Sequence, residues 1–145
     1  MRPIISWIVL VDAETVRIVV NEGPGKGLYG RKTDELKARA VTELSDAPGM
    51  TASSAGPNRG SISDPQLKAQ AEALFANEIA TYLDNALQAG EFDRLVLAAA
   101  PEMLGLLRQR LSNEVKGVLL ADLAKDLTHV TLEDLPPHLS NVLVV

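Results

Sequence analysis

Apolar and polar positions change rhythm several times along this chain. Ile4–Val11 and Thr15–Asn21 are runs rich in β-branched residues, and Asp12-Ala13-Glu14 between them is a hairpin-sized connection. The first run is nearly continuous in apolar residues, as expected of a central strand covered on both faces. Glu22–Arg31 holds Gly23, Gly25, Gly27 and Gly30 with Pro24 and reads as a loop. A weaker signal from Ala38, Ala40, Val41 and Leu44 places a third strand within Lys37–Leu44. Ser45–Ser63 follows, a long stretch of small residues in which only Asp46 and Arg59 are ionised. Connections are usually about 4–6 residues, so a loop of this length is expected to be either functional or merely disordered.

The rhythm then becomes helical. Leu67, Ala71, Leu74, Phe75, Ile79, Tyr82, Leu83, Ala86 and Leu87 recur at three- and four-residue spacing and predict a helix over Pro65–Ala89. Asp64 is its expected N-cap, Pro65 its first residue and Gly90 its terminator. A βαβ pattern comes next: strand Arg94–Ala99, helix Pro101–Leu111, strand Val115–Leu120, with parallel pairing. A last short helix is expected from Leu132, with Thr131 capping it, and the apolar tail Val142–Val145 suits a sheet edge or an interface between two copies. The sum is an α/β fold, a mixed sheet of about five strands with helices packed on it, as one domain over residues 1–145.

Composition narrows the classes. Apolar residues make up 46% of the 145, enough for a packed core, and aromatics only 3%, too few for stacking on single-stranded nucleic acid. Cysteine is absent, which removes disulfides, thiolate metal sites and cysteine nucleophiles. Arg2 followed by Pro3–Val11 imitates a signal peptide, but the run stops at Asp12 and Glu14 without a small-x-small site, so a buried strand is the expectation. No run approaches the ~20 apolar residues of a membrane span. The net charge of −5 excludes a domain-wide basic footprint. A local one survives where Lys26, Arg31, Lys32, Lys37 and Arg39 precede the long loop.

Candidate chemistry is sparse. Gly23-Pro-Gly-Lys-Gly27 lacks the spacing of a phosphate-binding loop, and no other cofactor motif is present. His129 and His138 stand without a second histidine at metal spacing, so His129 is expected to cap or hydrogen-bond a loop. Asp12, Asp122 and Asp126 fall near predicted strand ends, where such carboxylates are normally solvated or cap helices but could in principle hold a divalent metal. Arg108 and Arg110 occupy the solvent side of the short helix.

Trp7-Ile-Val-Leu-Val-Asp-Ala-Glu-Thr-Val-Arg-Ile18, Asn21-Glu-Gly-Pro-Gly25, Asp64-Pro65, Leu95-Val-Leu-Ala-Ala-Ala-Pro101, Leu104-Gly-Leu-Leu-Arg108 and Lys125-Asp-Leu-Thr-His129 recur here in order and spacing. Together they resemble the bacterial host attachment family, labelled "protein required for attachment to host cells", over almost the whole chain. That family is similar to the middle domain of archaeal and eukaryotic peptide-chain release factors. The resemblance implies an α/β domain in which a Gly-Gly-Gln loop before a long helix would assist peptidyl-tRNA hydrolysis. Here that place holds Gly56-Pro-Asn-Arg-Gly60, with no Gly-Gly pair and no glutamine. Pro57 also lacks an amide N–H, so the hydrolytic chemistry is not expected.

The expected function is a non-catalytic, cytoplasmic binding module for the ribosome, RNA or a protein partner, without cofactor and without membrane contact. Its expected contacts are Gly56, Asn58, Arg59, Gly60, Lys26, Arg31 and Lys32. A role in attachment would be indirect. The alternatives are an enzyme using loop or strand-end residues, either a degenerate esterase-like hydrolase or a metal-dependent nuclease with Asp12, Asp122 and Asp126, and a surface adhesion factor.

Overall fold

In the computed structural model, residues 3–31, 65–143 and 145 are described. The expected strand within Lys37–Leu44, the loop Ser45–Ser63 and the cap at Asp64 lie outside them. The chain order is β1 (Ser6–Val11), β2 (Val16–Asn21), β3 (Tyr29–Arg31), α1 (Pro65–Gln88), β4 (Arg94–Ala99), α2 (Pro101–Arg110), α3 (Asn113–Gly117), β5 (Leu119–Leu123) and α4 (Pro136–Leu139).

These five strands form one mixed sheet in the order β3-β2-β1-β4-β5. β1 pairs antiparallel with β2 and parallel with β4, and β4 pairs parallel with β5. β1 is buried at every position. Strand periodicity then sends Trp7, Val9 and Val11 to one face and Ile8 and Leu10 to the other. β4 divides in the same way, Leu95, Leu97 and Ala99 against Val96 and Ala98.

The first face is covered by helices. Phe75, Ala76, Ile79, Ala80, Leu83 and Ala86 of α1 pack there with Met103, Leu104 and Leu107 of α2. Trp7 sits among rings, 4.7 Å from Phe92 and 6.2 Å from Tyr82. α1 ends as expected: Gly90 adopts φ +77°, which a Cβ would oppose. The Glu91 N–H then donates to Ala86 O and the Gly90 N–H to Leu87 O, satisfying two of the last helical carbonyls. Leu74, expected in the buried stripe, is 43% exposed, because burial along α1 begins only at Phe75.

The second face is covered by the irregular segment after β5. Leu127, Leu135 and Leu139 bury on it, with Val130, Leu132, Val142, Leu143 and Val145 packed around them. The apolar tail therefore lies on the sheet rather than extending it. Arg17, which points to this face, donates to the carbonyls of Thr128 and Val130 and ties the segment down.

Three further expectations are corrected. Tyr29–Arg31 is a strand rather than loop, held by pairing with Ile18–Val20 although all three of its residues are exposed. The run from Val115 starts as helix, because Ser112 Oγ accepts from the Val115 N–H and caps α3; the strand begins only at Leu119. The last helix starts at Pro136, not Leu132. Thr131 closes a turn through the Asp134 N–H, and the Leu135-Pro136-Pro137 step places two prolines where a helix tolerates them, in its first turn.

Candidate functional site

The three parallel strands end together. Asp12 follows β1, Ala100 follows β4 and Asp126 follows β5, at the edge where α/β sheets place their ligands. α1 contributes Lys68 and Glu72 to this edge, and the first turn of α2 contributes Glu102 and Met103. With Ala13 and Glu14 they line a cleft of about 430 Å3.

Asp12 organises the turn between β1 and β2. Its Oδ1 accepts from the Glu14 N–H at 2.8 Å, the Thr15 N–H at 2.6 Å and the Thr15 hydroxyl at 2.9 Å. Its Oδ2 lies 3.4 Å from Thr128 Oγ1, and that hydroxyl donates to Asp126 Oδ1 at 2.6 Å. Burial raises the Asp12 pKa, but these hydrogen bonds to the charged form outweigh it and hold the carboxyl below its ordinary value. One ligand atom each from Asp12, Asp126 and His129 lies within 4.8 Å of the others. Two carboxylates and an imidazole suit a divalent cation or the ammonium or guanidinium head of a partner.

The sequence-predicted residues separate in space. Asp12 and Asp126 come together, joined by Thr128. Asp122 stands apart: Arg108 donates to both its oxygens, at 2.6 and 2.8 Å, and lowers its pKa. His129 takes the third place, from a position the sequence marked only as a loop contact. Its 117-residue separation from Asp12 leaves no local signal. Arg31, grouped with the expected anion-binding residues, pairs with Glu91 and lies 4.9 Å above the Trp7 ring. Lys26 is exposed on the glycine turn at the opposite end of the sheet from the cleft. Lys32, Gly56, Asn58, Arg59 and Gly60 lie outside the described residues.

A family model described as "Protein required for attachment to host cells" matches residues 7–139. No curated protein matches the chain. Among solved structures, the chain is similar to the crystal structure of an archaeal translation termination factor, aRF1, with 13% sequence identity and a TM-score of 0.45. The match covers 94% of this chain and 38% of that one, so the chain spans well under half of the factor. The likeness concerns the path of the chain, and no residue role is carried across.

Proposed function

The chain belongs to the family of proteins required for attachment to host cells, and from that premise we propose that it is a non-catalytic binding module that docks a basic protein surface in the cleft over β1, β4 and β5. The charge of that cleft carries the reading: among the described residues, Asp12, Glu14, Glu72, Glu102 and Asp126 line it against Lys68 alone. A low-dielectric wall with one dominant sign of charge attracts lysine and arginine and repels a phosphate backbone. The hydroxyl beside His129, that of Thr128, is engaged by Asp126 and Asp12 rather than by an imidazole, which supports binding over nucleophilic catalysis. The proposal places the protein in the cytoplasm and makes its attachment role indirect, exerted through the partner.

An arginine-rich peptide titrated into the full chain tests this. Binding is expected to be saturable and salt-sensitive, and to weaken about tenfold in the Glu72→Gln/Glu102→Gln variant, a loss of about 1.4 kcal/mol. Equal binding by that variant would overturn the reading. A ribosomal or RNA-directed function keeps Lys26 and the Glu91-paired Arg31 as its exposed described contacts and rests otherwise on Lys32 and Arg59. Salt-sensitive cosedimentation with ribosomes, lost in Lys26→Ala and Arg59→Ala, would select it instead. Metal-dependent turnover of a nucleic acid, lost in Asp12→Asn and Asp126→Asn, would replace binding by catalysis.

A further inference from the structure

Strand register builds a second site, of opposite charge, at the other end of the sheet. Ser6 of β1 pairs with Asn21 of β2 on one side and with Arg94 of β4 on the other. Three polar side chains therefore stand in one row across adjacent strands, on the face whose remaining positions include Ile8, Leu10, Val19, Val96 and Ala98. Side chains opposed in neighbouring strands lie about 5 Å apart, close enough to act on one ligand. The row borders a cavity of about 480 Å3 with Ile4, Leu120 and Leu143 among its apolar walls. Ile4 is 49% exposed and Leu120 42%, so apolar surface faces the open space.

Two observations point to a ligand. Ser6 is only 3% exposed, and its hydroxyl has no hydrogen-bond partner among the described residues. No fully enclosed polar side-chain atom is left unpaired among those residues, so the Ser6 hydroxyl reaches the cavity rather than sealed protein. Arg94 is exposed, and its guanidinium likewise has no hydrogen bond or ion pair among the described residues. Among the described residues, no carboxylate side chain lines the cavity. Neighbouring Asp93 is turned to the start of β1, where it accepts from the Ile5 N–H at 2.9 Å. Asn21 is the fixed member of the row. Its amide donates to the carbonyls of Gly23 and Gly27 and accepts from the Gly23 N–H, which shapes the glycine turn beside the cavity.

We propose that this cavity binds a small monocarboxylate with an aliphatic body. The guanidinium of Arg94 takes the carboxylate through parallel N–H···O bonds, and the Ser6 hydroxyl donates to one of the same oxygens. The aliphatic body lies along Ile4, Leu120 and Leu143. One cation and one hydroxyl match a monoanion; a phosphate dianion would keep an unmatched charge against apolar walls. Nothing in this depends on the acidic cleft at the opposite end.

Octanoate titrated into the isotope-labelled full chain, followed by amide NMR, is the direct test. Saturable shifts are expected at Ser6, Arg94 and Leu143. Arg94→Gln should weaken binding at least about tenfold and Ser6→Ala about fivefold, the scales of a charged and a neutral hydrogen bond. On the unmodified protein, 1-octanol and inorganic phosphate should each bind at least about tenfold more weakly than octanoate, because each supplies half of the match. Octanol binding equal to octanoate, phosphate binding tighter than octanoate, the absence of saturation, or an unchanged affinity in a folded Arg94→Gln protein would each overturn the proposal.

Discussion

The two faces of the sheet are covered by opposite means. On one, α1 and α2 lay regular stripes of Phe75, Ile79, Leu83, Leu104 and Leu107 over Trp7, Val9 and Leu97. On the other, the 124–143 segment, with a single turn of helix, covers Ile8, Leu10 and Val96 using Leu127, Leu135 and Leu139. A helix satisfies its own backbone hydrogen bonds before it packs. An irregular segment does not, and must borrow donors from elsewhere. Arg17 is such a donor, serving Thr128 O and Val130 O. The helical face thus stands on packing, whereas the other stands on packing together with a few long-range polar ties.

Matched cavities test that contrast most severely. Leu83 and Leu139 are both fully buried. Leu83→Ala should cost about 4 kcal/mol, because rigid α1 cannot close the hole, whereas Leu139→Ala should cost about 2 kcal/mol, because a single helical turn can settle inward. Urea unfolding of both variants checks this. Equal losses would mean that the segment is as rigid as the helix.

The polar tie is next. Arg17→Met keeps the aliphatic stem and removes the donor from two carbonyls, an expected loss of about 1–3 kcal/mol. Hydrogen exchange should accelerate across 124–143 and stay unchanged in α1. Uniform acceleration would show that the two faces open together. Smaller again is Gly90→Ala. An added Cβ would meet nothing within 4 Å, so only the positive φ opposes it and about 1 kcal/mol is expected. That loss belongs to the helical face alone.

The same contrast explains what could be read in advance. β1, β2, β4, α1 and α2 announce themselves because each carries a local signal, a short apolar run in the strands and a period of three to four residues in the helices. β3 does not: Tyr29-Gly30-Arg31 has no apolar run and exists through its partner strand. The start of β5 was hidden because Val115 and Val118 fit strand or helix equally, and Ser112 decides between them. The segment over the second face has scattered leucines with no period, so its role emerges only from the fold. Both candidate sites divide along this line. Asp12 and Asp126 could be placed near strand ends, but His129 joins them through tertiary contact. Ser6, Asn21 and Arg94 read as unremarkable strand termini, and only register aligns them.

Acid separates the faces by their electrostatics. Asp12 and Asp122 have lowered pKa values, and they serve different faces. Asp122 holds α2 through Arg108, and Asp12 holds the 124–143 segment through Thr128. A carboxyl depressed in the folded protein binds protons more readily when unfolded. Its contribution is therefore complete above the unfolded value of about 3.9, and disappears as pH falls through the lower folded value. Stability should accordingly be insensitive to these two groups from neutrality to about pH 5 and decline below about pH 4. Asp122 is exposed enough for salt to screen its pair, so 0.5 M salt should shrink its share of that decline. The Asp12 share rests on short hydrogen bonds within a turn and should persist in salt. Asp12→Asn should then flatten the acid decline in the protection of 124–143 while leaving that of α2, and Asp122→Asn should do the reverse. The effect is small because each carboxylate retains solvent. Site-resolved exchange between pH 3 and pH 5, rather than a global melting temperature, is the measurement that can read it. If both variants flattened both regions alike, the two faces would form one acid-sensitive unit.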